Sequence, residues 1–146
     1  MSNYKHILVG LDLSEESEEV IARATALAAA AGAKLSLAHV IEPLTFAYGG
    51  DIPVDLTEIQ TQLESQAKQK LSSLGASIQV NDEDQHVIVG QPVDEIHSLA
   101  ESIGADLIIV GSHGRKGLAL LLGSTANGVI HGAKTDVLAV RVAKPS

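Results

Sequence analysis

Asp106-Leu107-Ile108-Ile109-Val110-Gly111-Ser112-His113-Gly114-Arg115-Lys116-Gly117, with Gly123-Ser124-Thr125 shortly after it, is the stretch that decides the fold. Asp106 to Val110 is a short apolar run of the kind a strand carries when both of its faces are covered. It breaks into a glycine-rich loop, and Gly123, Ser124 and Thr125 then open a helical pattern. Glycines let backbone N–H groups approach an anion, and a helix N-terminus adds partial positive charge. The order strand, glycine loop, helix start therefore points to bound phosphate, and so to a nucleotide.

Working outward, the same alternation repeats along the chain. Ile7-Leu8-Val9-Gly10-Leu11 reads as a buried strand, ended by Asp12-Leu13-Ser14. A helix runs from about Glu15 to Ala31, with Ser14 at its start, Glu15 and Glu16 at the positive end of its dipole, and Gly32 as its stop. Lys34 to Ile41 is a second strand, and Glu42 to Pro53 a loop. A second helix covers roughly Asp55 to Leu74, with Leu56, Ile59, Leu63, Ala67 and Leu71 on one stripe and Gly75 as its end. The third strand is either Ser77–Val80 or His86–Val89. Gly90-Gln91-Pro92 leads into a third helix over about Val93–Ser102, with Ile96, Leu99, Ala100 and Ile103 apolar. A fourth helix is expected over Ser124–His131 and a fifth strand over Val137–Val142. Alternation of this kind predicts an α/β fold, a three-layer sandwich with a parallel sheet between helices. No internal repeat is present, and 146 residues suit one domain spanning 1–146.

Composition narrows the function. Apolar residues make up 45% of the chain and aromatic ones 2%, so the core is aliphatic. The net charge of −8 argues against nucleic-acid partners and against anionic membrane surfaces, both of which need surplus Lys and Arg. The chain has no cysteine, which excludes disulfides, zinc–thiolate sites and thiol catalysis. The longest apolar run, Ala26 to Ala31, is far short of a membrane span, and the first residues lack the pattern of a secretory signal. A cytoplasmic protein is expected.

In a doubly wound sheet, ligands sit beyond the carboxyl ends of the strands where the strand order reverses. Small and polar residues gather at two such ends, Gly10-Leu11-Asp12 and Gly111-Ser112-His113-Gly114. Neither a Walker loop nor a dinucleotide fingerprint is present. The six histidines show no metal-ligand spacing, and Gly-x-Ser-x-Gly is absent. No general base is evident for attack on a γ-phosphate, so no enzymatic activity is expected. Asp12 reads equally as a helix cap or as a ligand residue. Arg115 suits phosphate neutralisation, and Lys116 a solvated loop charge. Phe46 and Tyr48 belong either to a surface loop or to a lid over the site.

The chain resembles the universal stress protein family of the UspA type. The resemblance rests on Gly111-x2-Gly114 and Gly123-Ser124 after Asp-Leu-Ile-Ile-Val, on the opening Tyr4–Ser14, and on the closing Thr135–Arg141. It covers the whole chain and implies a Rossmann-like five-stranded sheet in the order 3-2-1-4-5 with four helices, a homodimer, and ATP, with or without magnesium. Carried over by position, Gly114, Gly123, Ser124 and Thr125 would hold phosphates. Asp12 would face the ribose and phosphates or a magnesium ion, and Val40 would offer its backbone to adenine. Gly10, Leu11, Gly111, His113 and Arg115 would line the pocket. The family's ATP-binding pattern has one residue more between its second and third glycines than the eight from Arg115 to Leu122. In a helix that loss rotates the downstream residues by about 100°, whereas a loop absorbs it. The implied role is regulatory, through an unidentified protein partner; the alternative is a dimeric adaptor of the same fold that binds no nucleotide. The last strand supports a dimer independently. Val137–Val142 is an apolar edge that a second copy would pair with, covering Val137, Ala139 and Val140.

Overall fold

The computed structural model describes residues 4–13, 17–42, 56–111 and 135–140. Within them the chain forms β1 (His6–Gly10), α1 (Ser17–Ala31), β2 (Lys34–Ile41), α2 (Leu56–Ser77), a 3₁₀ turn (Asp82–Asp84), β3 (Gln85–Val89), α3 (Pro92–Ile103), β4 (Leu107–Gly111) and β5 (Asp136–Val140). The sheet is parallel throughout, in the order β3-β2-β1-β4-β5. The expected helix at 124–131 and the end of the fifth strand at 141–142 lie outside the described residues.

Each face of the sheet carries its own core. Ile7 and Val9 of β1, Leu37 of β2 and Leu107 and Ile109 of β4 pack with Val20, Ile21, Ala24 and Ala28 of α1 and Leu71 of α2. Leu8, Ala38, Ile108 and Val110 face the other way, onto Ile96 and Ala100 of α3. This explains why β1 and β4 read as unbroken apolar runs. Both are interior strands covered on two sides, and Ile7, Leu8, Val9, Ile108 and Ile109 are fully buried. The two edge strands are less apolar or less buried along their length.

The expected start of the first helix at Ser14–Glu16 lies outside the described residues; of the two glycine stops read from the sequence, Gly32 ends its helix and Gly75 does not. Gly32 adopts φ +65° as the Ala33 N–H bonds back to Ala28, and Gly104 adopts φ +73° after α3, so both act as left-handed stops. Gly75, by contrast, does not end α2. The helix continues to Ser77, and exposed Gln79 takes the left-handed conformation with φ +63°. Gly75 serves packing instead. A side chain there would meet the carboxamide of Gln85, whose Nε2 donates to the Val80 carbonyl at 3.0 Å. Between the two candidates for the third strand, the structure takes Gln85–Val89; of the other, Ser77 ends α2 and Ile78 to Val80 form the turn that follows. Along the described part of the α2 stripe, Ala67 and Leu71 are in the core, while Ile59 and Leu63 are 41% and 37% exposed.

The base of the sheet, opposite the strand tips, is closed by polar contacts. The Asp106 carboxylate accepts from the backbone N–H groups of Lys5 and His6 at 2.9 and 3.0 Å. Burial pushes this carboxyl up, but those N–H groups together hold it below the usual carboxylate range. His6 bridges the Ile103 carbonyl and the Ser36 hydroxyl, at 3.1 and 2.7 Å. A serine–imidazole pair oriented by a third group has the form of a catalytic dyad. Ser36, however, is 1% exposed beneath α3, so no substrate reaches it and the pair satisfies buried polar atoms.

Candidate functional site

The strand order puts the reversal point between β1 and β4. From β1 the chain builds one way through β2 to β3, then crosses to β4 on the other side. Gly10 pairs with Val110, so the tips Gly10-Leu11-Asp12 and Val110-Gly111 stand side by side. The crevice expected from the sequence therefore has adjacent walls. Of the expected site residues, Gly10, Leu11, Asp12, Val40 and Gly111 are described. His113, Gly114, Arg115, Gly123, Ser124 and Thr125, with the Phe46–Tyr48 loop, lie outside the described residues.

The tip of β1 is tightly held. Leu11 is buried, and its N–H donates to the Ala38 carbonyl at 2.8 Å, the last rung between β1 and β2. Its own carbonyl accepts from His39 Nδ1 at 2.8 Å. A carbonyl can only accept, so His39 carries its proton on Nδ1. Asp12 is exposed, and its Oδ1 accepts from the hydroxyl of buried Ser17, at 3.1 Å, in the first turn of α1. Leu13 adopts φ +61°, a left-handed turn that redirects the chain toward α1. The tether leaves Asp12 at the mouth of the crevice, beside the positive end of the α1 dipole. Among the described residues no group of three or more His, Asp and Glu side chains is arranged to hold a metal ion. A magnesium ion held by Asp12 would take its other ligands from phosphate oxygens and water.

Gly10 has a structural reason to be glycine. A Cβ there would lie 2.8 Å from Ile96 Cδ1 and 3.3 Å from Val110 Cγ1. Its side-chain direction points into the α3 core, so any ligand contact it makes comes through its backbone.

β2 is longer than β1, eight residues against five, and it overshoots the β1 tip. Ala38 bonds toward β1, and Ile41 accepts from Gly90 on the β3 side. Backbone groups alternate along a strand. The N–H and C=O of Val40 therefore point toward β1, beyond where β1 ends. Val40 itself pairs with Ile88 and packs its side chain against the α3 core. One residue thus presents a donor and an acceptor to the crevice. The sequence reading missed His39; its only sequence signal is a polar residue within the apolar run of β2.

Comparison with known proteins shows the family and the fold. The sequence model of the universal stress protein family matches residues 3–141. The chain belongs to the universal stress protein family. It is 46% identical over 140 residues to universal stress protein A homolog 1 of Coxiella burnetii, covering 94% of this chain and 96% of that one. It is 31% identical over 137 residues to the universal stress protein A homolog of Haemophilus influenzae, covering 94% and 96%. Among solved structures, the hypothetical protein MJ0577 superposes with a TM-score of 0.80 at 30% identity, over 99% of this chain and 100% of that one. A universal stress protein solved in complex with cAMP gives a TM-score of 0.62 at 32% identity, over 95% and 98%. Family membership accounts for the sheet order and for the resemblance along the whole length of the chain.

Proposed function

We propose that the protein is an ATP-binding regulatory protein of the stress response, acting in the cytoplasm as a homodimer and not as an enzyme. The observation that carries this reading is the backbone of Val40, facing the crevice at the β1–β4 reversal. An N–H donor and a C=O acceptor on one residue complement the N1 acceptor and N6 donor of adenine. A relative that binds cAMP supports an adenine ligand in this fold. The phosphates would run from Asp12 and Gly111 toward Gly114, Gly123, Ser124 and Thr125, with His113 and Arg115 beside them. When bound, magnesium would neutralise phosphate charge next to Asp12. A carboxylate tied to Ser17 and an imidazole committed to the Leu11 carbonyl suit binding and orientation better than proton transfer.

The dimer reading rests on β5, an edge strand of the sheet. Val137 and Ala139 are half-buried and would be covered by a second copy; Val140 is already buried in the chain's own core and would gain nothing. No helix among the described residues is long and apolar enough to cross a membrane.

The test is calorimetric. ATP at about 100 times its Kd stabilises the fold by about 2.7 kcal/mol and raises Tm accordingly. Gly114→Val, which places a side chain where phosphate would sit, is expected to abolish that rise. An unchanged Tm with millimolar ATP, and no nucleotide released on denaturing the purified protein, would establish the nucleotide-free adaptor instead.

A further inference from the structure

We infer that His39 is a positioning residue that keeps the Val40 backbone open to a nucleotide base. The inference rests on the nucleotide reading above and assigns one side chain the task of preparing the site.

In a parallel ladder, a residue's N–H bonds to one residue of the neighbouring strand, and its C=O to the residue two positions further along. Leu11 N–H bonds to Ala38. One more rung would send the Leu11 carbonyl to the Val40 N–H. That rung does not form, because β1 ends at Gly10 and the Leu11 carbonyl accepts from His39 Nδ1 at 2.8 Å. A carbonyl oxygen can accept twice, so the imidazole acts by holding the Leu11 carbonyl on its own line and not by using up the acceptor. The ladder stops one rung early, and the Val40 N–H stays directed into the crevice. Val40 lies next to His39 in β2, so the residue that blocks the rung and the residue kept open are chain neighbours.

This arrangement also fixes the tip. The imidazole bond on Leu11 and the Ser17 bond on Asp12 hold two successive residues of the turn, with Leu13 left-handed behind them. Removing the imidazole frees a buried carbonyl, and the nearest donor in register is the Val40 N–H. The strands then zip together and the base-reading donor is lost.

The experiment uses the full chain with His39→Leu and His39→Asn, read by amide hydrogen exchange without ligand and by calorimetric titration with ATP. Asparagine places an N–H close to where Nδ1–H stood, so it retains the bond. In His39→Leu, Val40 amide exchange slows by about tenfold or more and ATP affinity falls by about tenfold, the worth of one hydrogen bond. In His39→Asn both stay within about threefold of wild type. A general loss of stability would speed exchange across β1 and β2, whereas the inference requires Val40 to slow. A Val40 amide indifferent to His39→Leu, or a His39→Asn protein that behaves like His39→Leu, overturns the positioning role whatever ATP does. Wild-type protein that binds no ATP, with Val40 responding as described, overturns the nucleotide reading and with it the ligand-related part of this inference.

Discussion

Replacing Gly10 by alanine separates two explanations for a glycine at the strand tip beside the β1–β4 reversal. The added Cβ would lie 2.8 Å from Ile96 Cδ1, 3.3 Å from Val110 Cγ1 and 3.9 Å from Ile96 Cγ1. The first distance is far inside van der Waals contact, so Ile96 must move. Ile96 is 6% exposed, among Leu8, Ala38, Ala100, Ile108 and Val110, and its Cδ1 has little room to swing. Overpacking of this kind costs about 1–3 kcal/mol. Gly10 is not among the glycines with positive φ, so alanine also narrows the unfolded ensemble and returns about 0.4–1 kcal/mol. The net expectation is a loss of about 1 kcal/mol. Ile96→Val alone removes the clashing Cδ1 and costs about 0.5–1.5 kcal/mol through the cavity left behind. In the double variant the alanine methyl fills that cavity. The pair is therefore expected to be non-additive by about 1–2 kcal/mol, with the double variant at least as stable as Ile96→Val. Urea unfolding monitored by circular dichroism measures all four proteins, since the chain has no tryptophan. Additive losses would refute the packing account. A double variant that folds normally but no longer stabilises with ATP would show that the ligand, too, requires glycine at this position.

Two further expectations concern the described residues. Gln79 is exposed with φ +63°, so Gln79→Gly relieves backbone strain without losing packing; a gain of about 0.5 kcal/mol and about 1–2 °C in Tm is expected, net of the extra unfolded-state freedom. A lowered Tm would mean that the turn at 78–81 tolerates glutamine for another reason. The second concerns acid: burial pushes the His86 imidazole below its ordinary value of 6.5, Asp84 opposes this and His6 adds to it. The fold thus favours the neutral ring, so this contribution is complete above pH 6.5 and is lost as pH falls through the lower folded value. The Tm difference between wild type and His86→Gln should therefore shrink or reverse between about pH 7.5 and about pH 5. A difference that stays constant over that range contradicts it.

The fold was legible because its two interior strands announce themselves. Ile7–Leu11 and Asp106–Val110 are apolar at every position that must be covered from two sides, and Gly32 marks a helix end with the backbone angle expected of it. Where reading failed, a local signal served a non-local need. Gly75 looks like a helix stop, yet its missing side chain makes room for Gln85 from the next strand. Ile59 and Leu63 continue the α2 stripe in sequence, but the sheet beneath supports only the part carrying Ala67 and Leu71. Gly10 was legible as a tip residue, while its packing against α3 depends on a contact 86 positions away along the chain, which no local pattern encodes.

The site shows the same division more sharply. Asp12 and Val40 could be placed at strand tips from sequence, because tips are where apolar runs end. What would let Val40 read a base is a register event: β2 runs three residues past Ala38, and the Leu11 carbonyl, next in line for the Val40 N–H, is bonded to an imidazole. Strand lengths differing by three residues cost nothing in the buried core, since the overhang carries half-buried His39, Val40 and Ile41. A parallel sheet can therefore expose backbone donors at its carboxyl edge without a bulge or a proline, provided one side chain holds the competing carbonyl out of the ladder. On the proposed nucleotide reading, His39 is the β2 residue that would turn an ordinary strand end into a recognition edge.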